Sequence, residues 1–325
     1  MEENYKEIYL TIFIPVRNRC EELTKCLNRL LEFGGNNKSI EVLLIDNNST
    51  DGTKDVIVKY ATKFQNLRFF FNKKNEGYTY SQIKGFKEAK GKYIALLSSD
   101  DYYTKNTIEL ILLTIKEHNP IALAMNYYNM LEGGKIKIIG PTESQVFNRP
   151  WDLWCHPSVG HWSGLIVKRD EFRKFFNKFL QFDKEISSYE QNRGVIGLMF
   201  THILANSNKD RKACYIGKPL IEVSRPKELD YNVLEHIYLN EIKIYKGYFT
   251  TKVISKQQLI QRIKGTEKDL YKAVILNSLN SAYIQDTIMI LRKYKKYLNF
   301  YGILILLSIL SYMLKPIYHK FKSGE

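Results

Sequence analysis

Two adjacent carboxylates, Asp100 and Asp101, are the side chains of this sequence best suited to chemistry. They follow the run Lys92–Leu97, whose β-branched and aromatic residues are typical of a buried parallel strand, and Ser98-Ser99 leads into them. Ligands of open α/β sheets bind at the carboxyl ends of the strands. Carboxylates at that edge can hold a hard divalent cation, which can in turn neutralise a diphosphate. The alternative is that the pair caps a helix predicted from Thr104, since Asp is a favoured N-cap.

Strand and helix patterns alternate three times before this carboxylate pair. The predicted strands are Tyr9–Val16, Ile40–Ile45 and Leu67–Phe71, and the predicted helices are Glu21–Phe33, Asp55–Phe64 and Tyr80–Ala89, the last closed by Gly91 as its cap. Such a βαβαβα unit requires a parallel sheet with right-handed crossovers. No GxGxxG motif follows the first strand and no GxxxxGK[ST] motif occurs in the sequence, so dehydrogenases and P-loop enzymes are disfavoured.

The second half of the chain has a weaker pattern. A helix is predicted over Thr104–Glu117, a strand over Ile121–Met125 and a hairpin over Tyr127–Ile139, which contains the turn-forming Glu132-Gly133-Gly134. The stretch Pro141–Pro157 is expected to be irregular and aromatic. These elements would continue the sheet beyond the carboxylate edge.

Composition restricts the partners of the chain without choosing among them. The 325 residues suit one large domain with an appendage, or two domains. A net charge of +15 implies an anionic partner, which could be nucleic acid, a phosphorylated ligand or an anionic membrane. Four cysteines without a CxxC pair predict reduced thiols in the cytoplasm. The charged start MEENYKEIYL leads straight into a strand, so no signal peptide is predicted.

The polar loops after the strands form an ordered series that resembles the motifs of family 2 glycosyltransferases of the GT-A fold. The series is Pro15-Val16-Arg17-Asn18, then Asp46–Thr53, then Asn75-x-Gly77 with Gly85, Ala89 and Gly91, then Ser98–Asp101. A fainter resemblance extends to about residue 225, because Val159–Arg169 is similar to the Gly-containing strand that precedes the acceptor helix in this family and Tyr215–Ser224 is similar to its last core strand. It implies an α/β, Rossmann-like mixed sheet of the GT-A nucleotide-diphospho-sugar transferase type over residues 1–225, with a helical, basic region over residues 226–325.

The resemblance also implies a site for a nucleotide-sugar donor. Asp46 would bind uracil or an equivalent base, and Asp51 would lie near the base and ribose. Asp100 would ligate Mn²⁺ or Mg²⁺ at the donor diphosphate, and Asp101 would help as a metal ligand or merely orient. The donor-site residues that it implies are Pro15, Val16, Arg17, Asn18, Asp46, Asn48, Asp51, Gly77, Gln82, Ser99 and Asp100.

Three positions depart from the pattern of the family. Ser98 stands where the first Asp of an Asp-x-Asp motif is usual, and Asn47 replaces a frequent second Asp. Gln82-Ile83 replace the usual Arg-Asn of the third helix. The departures leave the expected fold unchanged but leave open which nucleotide is bound.

Inverting transfer needs a base that removes the proton of the acceptor hydroxyl. No Glu-Asp pair occurs where the family places this base, and the candidates are Asp183, Glu185 and Glu190, each of which can also be a solvated surface acid. Glu190 ranks first because it precedes the helical run Val195–Leu204, and an N-terminal carboxylate there would face the site.

Aromatic and histidine side chains supply the candidates for the acceptor site: Trp154, His161, Trp162 and His202. An aromatic loop can stack on a pyranose face, but it can equally be loop packing, and a lone His on an apolar helix is usually a core residue. The string from Tyr189 to His202 is faintly similar to an abequosyltransferase-like branch that adds dideoxy sugars in O-antigen assembly.

From Lys227 onward the pattern is helical and basic. The nearly uncharged stretch 298–314 lies between the basic, Tyr-containing flanks 292–297 and 315–320. Its length is at the lower limit for spanning a bilayer, and the flanks favour a helix lying in the cytoplasmic leaflet against anionic headgroups. The alternative is a buried helix packed on the catalytic domain or on a second copy in a homo-oligomer. Membrane attachment would account for the positive charge without nucleic acid.

The leading hypothesis is a metal-dependent inverting glycosyltransferase of bacterial surface-polysaccharide or O-antigen synthesis. Its acceptor would be a glycan or a polyprenyl-diphosphate-linked glycan, and the protein would be cytoplasmic and peripheral on the inner face of the cell membrane. The alternative is a non-catalytic GT-A domain that binds nucleotide or glycan, which Ser98 supports. A nucleotidyltransferase is disfavoured because PVRNRCEE has no Gly-rich, basic loop to cradle a triphosphate.

Overall fold

In a computed structural model of the chain, the central strands form where apolar side chains are consecutive. Strands β1 (Leu10–Val16) and β2 (Ile40–Asp46) are buried at every position, as expected of parallel strands covered on both faces. β1 lies between β2 and β4 (Tyr93–Leu96) and runs parallel to both, and β3 (Leu67–Phe71) extends the sheet beside β2. The predicted parallel βαβαβα unit is therefore confirmed.

The structure describes residues 7–130, 134, 136–154, 161–173, 200, 203–204, 210–224, 256–257 and 260. The chain divides into two compact units, Met1–Lys227 and Glu228–Glu325. All elements below belong to the first unit.

The second half of the sheet is mixed. Its strands are β5 (Tyr102–Tyr103), β6 (Ala122–Met130), β7 (Ile136–Ile138), β8 (Gln145–Phe147), β9 (Leu165–Lys168) and β10 (Ala213–Val223). Strand β9 runs antiparallel between β4 and β6, while β6 and β10 are parallel to each other. The strand order is β3-β2-β1-β4-β9-β6-β10-β5, with β7 on β6 and β8 on β10. The predicted mixed sheet and the β6–β7 hairpin are both confirmed.

The helices α1 (Cys20–Glu32), α2 (Thr53–Ala61) and α3 (Tyr78–Glu88) connect the parallel strands. α3 can approach β1 closely because Gly85 has no side chain, and a Cβ there would lie 2.2 Å from the Phe13 ring. The prediction that Gly91 caps α3 is wrong, since Ala89 is the cap. Gly91 lets the segment before β4 approach β1 closely, because a Cβ at this position would lie 2.5 Å from the backbone nitrogen of Thr11.

The helix that follows the carboxylate pair, α4 (Thr107–His118), begins later than the predicted Thr104. The backbone N–H of Thr104 donates to the carbonyl of Leu220 (3.0 Å), which extends the pairing of β5 with β10. The N-cap of α4 is Asn106, so the alternative in which Asp100 and Asp101 cap this helix is wrong.

The stretch that was expected to be irregular, Pro141–Pro157, contains the strand β8 and a short helix, α5 (Pro150–Trp154). β8 adds to β10 over three residue pairs. The strand predicted within Val159–Arg169 is shorter than expected, because a 3₁₀ turn at Trp162–Gly164 precedes β9.

A buried ionic network lies at the amino-terminal edge of the sheet. Glu41 on β2 is fully buried and accepts hydrogen bonds from Thr11 Oγ1 (2.6 Å), the Lys90 backbone N–H (2.8 Å) and Arg68 Nη1 (2.7 Å). Thr11 Oγ1 in turn accepts from the Gly91 N–H (2.8 Å). The network joins β1, β2, β3 and the end of α3 at the edge opposite Asp100.

None of the helices in the described part of the chain is long and apolar enough to cross a membrane. The stretch 298–314 lies outside the described residues.

Candidate active site

The loops that follow β1, β2 and β3 meet at the carboxyl edge of the sheet. The N–H of Asn47 donates to the carbonyl of Val16 (2.9 Å), and the N–H of Asn72 donates to the carbonyl of Asp46 (2.9 Å). Pro15 and Val16 are buried within β1, whereas Arg17 is exposed at its end. The donor-site residues predicted on these loops are thus brought to one edge.

Asp46 ends β2 and is fully buried. Its carboxylate oxygens accept the backbone N–H of Ser49 at 3.1 and 3.3 Å, which closes the turn after the strand. The carboxylate therefore already fixes the shape of the loop. Its contact with a nucleotide base stays a prediction.

Two asparagines in the left-handed region shape the first and second loops, Asn18 (φ 51°) and Asn48 (φ 59°). The N–H of Asn18 donates to Ser49 Oγ (2.9 Å), and Asn18 Oδ1 accepts from the Thr50 N–H (2.8 Å). Lys54 Nζ lies 3.5 Å from Asn48 Oδ1. These bonds tie the end of β1 to the loop that contains Asp46.

Asp51 joins the amino ends of two helices. Its carboxylate accepts the backbone N–H of Cys20 at the start of α1 (3.2 Å) and that of Thr53 at the start of α2 (3.0 Å). Burial acts to raise the pKa of Asp51, but hydrogen bonds from Thr53 and Cys20 outweigh it and hold this pKa below its usual value. In the structure Asp51 has a capping role, and its predicted proximity to the ribose remains untested.

Asn47, where the family often has a second Asp, connects the second and third loops. Its Nδ2 donates to Asn75 Oδ1 (2.7 Å), and its Oδ1 accepts from Asn72 Nδ2 (3.1 Å) and the Glu76 N–H (2.9 Å). An Asp could not donate to Asn75, so this departure has a structural reason. Gly77, at φ 85°, turns the chain into α3 directly afterwards.

Gln82 on α3 is fully buried, and neither atom of its amide has a hydrogen-bond partner among the described residues. An unsatisfied buried amide costs on the order of 1–3 kcal/mol, so such a group commonly has a ligand or an ordered water as its partner. This geometry suits the predicted role of Gln82 in donor binding.

The loop that carries the carboxylate pair is a tight turn, in which the N–H of Asp101 donates to the carbonyl of Ser98 (3.1 Å). Asp101 is 2% exposed. One of its oxygens, Oδ2, accepts from Ser163 Oγ (2.5 Å), and the other accepts from the Ser224 N–H (3.1 Å). Burial raises the pKa of Asp101 to about 7, and the charge of Asp100 adds to this effect.

Asp100 is partly buried, and the neighbouring Ser99 is 7% exposed. Burial raises the pKa of Asp100 above its usual value, against the lowering effects of its own backbone N–H and of the Arg19 charge. Within the ranges that the structure describes, no three His, Cys, Asp or Glu side chains come together as a metal site. Oxygen atoms of a diphosphate are ligands that could complete the coordination of Mg²⁺ or Mn²⁺ beside Asp100.

Among the acceptor candidates, His161 approaches the loop that carries the carboxylate pair. Burial lowers the pKa of His161 to about 4, so its imidazole is neutral at pH 7, and its Nδ1 lies 3.5 Å from Asp101 Oδ2. The His161 ring packs against Tyr127 with centroids 5.1 Å apart. Trp162 begins the 3₁₀ turn and is partly buried, and Trp154 ends α5.

The candidates for the base, Asp183, Glu185 and Glu190, and the acceptor candidate His202 lie outside the described residues. Ser163, by contrast, is a site residue that the sequence analysis missed. It is 62 residues from Asp101 in the chain, and no local pattern connects the two.

Parts of this chain are similar in sequence to known glycosyltransferases. Residues 11–166 match the model of the family described as glycosyl transferase family 2. An uncharacterized glycosyltransferase of Rickettsia felis is 36% identical over 39% of this chain, and the match spans 20% of that protein. The glycosyltransferase GlyG of Streptococcus pneumoniae is 27% identical over 37% of this chain and 39% of its own length. The chain thus matches well under half the length of each of these two relatives.

Two solved structures share the fold. S. aureus TarS in complex with UDP-GlcNAc has a TM-score of 0.56 at 17% identity, with 82% of this chain and 81% of that chain covered. The mannosyltransferase PcManGT of Pyrobaculum calidifontis, in complex with GDP-Man and Mn²⁺, has a TM-score of 0.56 at 13% identity, with 97% and 88% covered. The predicted GT-A fold is confirmed by these similarities.

Proposed function

We propose, from the match of residues 11–166 to the model of glycosyl transferase family 2, that this chain transfers a sugar from a nucleotide-sugar donor to an acceptor hydroxyl. The observation that carries the proposal is the convergence of the polar loops after β1, β2, β3 and β4 at one sheet edge. Asp46 and Asp100 lie at the ends of two of these strands. Ligands of open α/β sheets bind at this edge.

The donor is proposed to be a nucleoside diphosphate sugar that binds with Mn²⁺ or Mg²⁺. Two proteins of the same fold are seen with UDP-GlcNAc and with GDP-Man and Mn²⁺, which supports this class of donor. Asp100 would hold the cation together with diphosphate oxygens. When bound, the cation neutralises the charge of the departing diphosphate.

The chain's own residues would prepare both partners of the transfer. The loops joined by Asn18, Asn47 and Asp51 give the donor a fixed surface at the ends of β1 and β2. Glu190 or Asp183 would take the proton of the acceptor hydroxyl while its oxygen displaces the nucleoside diphosphate from the anomeric carbon in one step, and this single displacement would invert the configuration of the sugar. His161, neutral at pH 7, would remain available to donate or accept a hydrogen bond near the acceptor.

The acceptor is proposed to be a glycan, or a polyprenyl-diphosphate-linked glycan, of bacterial surface polysaccharide such as O antigen. The stretch 298–314 and the charge of +15 support a peripheral location on the cytoplasmic face of an anionic membrane. The same stretch could instead join two copies of the chain, and neither role involves nucleic acid.

The test is a panel of UDP-, GDP-, CDP- and dTDP-sugars with the full-length protein, with and without Mn²⁺. We expect one donor to raise the melting temperature and to be hydrolysed or transferred only with the cation. Asp100→Asn should abolish the Mn²⁺ effect, whereas Glu76→Gln, an exposed change in the third loop, should not. If no donor in the panel binds, the proposal is wrong.

A second candidate function is a non-catalytic domain that binds nucleotide, because Ser98 replaces the usual first Asp of the motif. A donor that binds but is neither hydrolysed nor transferred, with or without acceptor glycans, would favour it.

If the chain is an enzyme, Glu190→Gln should lower kcat by about 100-fold or more with little change in donor affinity, as removal of a general base does. If Asp183→Asn instead shows this loss of kcat and Glu190→Gln does not, Asp183 is the general base.

A further inference from the structure

We infer that Asp101 and Ser163 form a positioning pair that fixes the turn Ser98–Asp101 from within, so that Asp100 is the carboxylate of the turn that meets the donor. The inference rests on the proposed function, because it assigns roles to residues of the same site. It gives Asp101 a role other than metal ligand. It also adds Ser163, which no motif identifies.

The direction of the hydrogen bonds defines the pair. The Ser98 N–H donates to Ser163 Oγ (3.0 Å), so the hydroxyl hydrogen of Ser163 is directed to Asp101 Oδ2 (2.5 Å). The Ser224 N–H occupies the other oxygen of Asp101 (3.1 Å). With both oxygens already accepting and only 2% of the residue exposed, Asp101 is poorly placed to coordinate a cation.

The fold holds Ser163 rigidly against the turn. Ser163 lies in the 3₁₀ turn before β9 and is fully buried. The next residue, Gly164, packs so closely on β6 that a Cβ there would lie 2.9 Å from the carbonyl oxygen of Met125. The pair therefore joins the end of β4 to the strands β9, β6 and β10 at the level of Asp100.

Ser98 has a new role in this arrangement. It stands where the first Asp of the motif is usual, and it contributes a backbone N–H to the pair instead of a carboxylate to a cation. Asp100 then lies in a turn closed by the Ser98 carbonyl and by Ser163, which limits the positions that its backbone can adopt. Groups that orient a metal ligand commonly change metal affinity by about 10–100-fold when they are removed.

The chain contains a matched control at the opposite edge of the sheet. Thr11 Oγ1 likewise accepts a backbone N–H, from Gly91 (2.8 Å), and donates to a buried carboxylate, Glu41 Oε2 (2.6 Å). Thr11 and Ser163 are both fully buried. Thr11→Ala therefore removes the same kind of hydroxyl bridge far from the donor edge.

The experiment measures the dissociation constant of the nucleoside diphosphate selected by the donor panel, with and without Mn²⁺, at pH 8. The proteins are the full-length chain and the variants Ser163→Ala, Asp101→Asn, their double variant, Asp100→Asn and Thr11→Ala. Melting temperatures without ligand report folding in each case. Binding in the presence of Mn²⁺ reports the geometry of the turn.

We expect Ser163→Ala and Asp101→Asn each to weaken binding with Mn²⁺ by about tenfold or more while a measurable Mn²⁺ effect remains. The double variant should bind the nucleotide with Mn²⁺ no more weakly than the single variant that has the lower affinity, because the two residues act through each other. Asp100→Asn should lose the Mn²⁺ effect. Thr11→Ala should lower the melting temperature but keep the affinity within about twofold of the parent.

Three results would overturn the inference. The first is loss of the Mn²⁺ effect in Asp101→Asn, which would make Asp101 a ligand. The second is unchanged affinity in folded Ser163→Ala. The third is a loss of affinity in Thr11→Ala as large as that in Ser163→Ala, which would show that the Asp101–Ser163 pair has only a general stabilising role. If the parent protein itself binds no nucleotide, the proposed function fails instead.

Discussion

Replacing Glu41 by Gln should destabilise the protein strongly without weakening donor binding. The carboxylate is 1% exposed and accepts three hydrogen bonds, one of them from the Arg68 guanidinium at 2.7 Å. An amide must turn its NH₂ group toward either Arg68 or the pair of Thr11 and Lys90 donors, so at least one buried donor loses its acceptor. Breaking a buried ion pair costs about 3–5 kcal/mol, and because Arg68 is 30% exposed we expect about 3 kcal/mol.

Such a change corresponds to a melting temperature lower by about 6–12 °C for a domain of about 200 residues. Differential scanning fluorimetry of the full-length chain would measure it, with Glu76→Gln as the control, since its ion pair with Lys74 lies at the surface and is worth at most about 1 kcal/mol. Nucleotide affinity should stay within about twofold of the parent, because Glu41 lies at the edge opposite Asp100. A melting temperature within about 2 °C of the parent would refute the account of the buried network.

Three further predictions concern the carboxyl edge and the packing beneath it. Gly85→Ala should destabilise by about 1–3 kcal/mol in urea unfolding, because its Cβ would lie 2.2 Å from Phe13, and an unchanged midpoint would contradict this packing. Asp101 has a pKa of about 7 in the folded protein and about 3.9 in the unfolded chain, so the melting temperature of the ligand-free protein should fall as pH rises from 5 to 7 and then level off. The melting temperature of Asp101→Asn should lack this pH-dependent fall, and the same pH slope in the variant and the parent would contradict the raised pKa of Asp101. Asn47→Asp places an acceptor against Asn75 Oδ1, so hydrogen exchange of the amides of residues 72–77 should quicken by about fivefold or more, and unchanged protection would show that this bond does not hold the loop.

Most of the parallel half of the fold could be predicted because its signals are local. Strand Leu67–Phe71 is apolar except for Arg68 and lies between Asn66 and Asn72, and its observed bounds are the predicted ones. The order of polar loops along the chain then placed the candidate residues at one edge, since parallel strands end on the same side. The same reasoning failed at Thr104, where pairing of Tyr102–Tyr103 with β10 delays the next helix.

The contacts that give individual residues their roles could not be predicted in this way. Asp101 resembles a metal ligand in sequence, but in the structure its oxygens bond to Ser163 and Ser224. Those partners arrive through the antiparallel insertion of β9 and through β10, which are distant in the chain. Gly91 likewise resembles a helix cap in sequence, but in the structure a glycine is needed there because the Thr11 backbone leaves no room for a Cβ.

The central claim is that a nucleotide-sugar donor binds at the carboxyl ends of β1, β2 and β4. A crystal structure of the full-length protein with Mn²⁺ and the nucleoside diphosphate selected by the donor panel tests it most directly. The account predicts the base beside Asp46 and the cation between Asp100 and the diphosphate, with Asp101 bonded to Ser163 as before. Nucleotide bound in another pocket, with the neighbourhood of Asp46 and Asp100 empty, would contradict it.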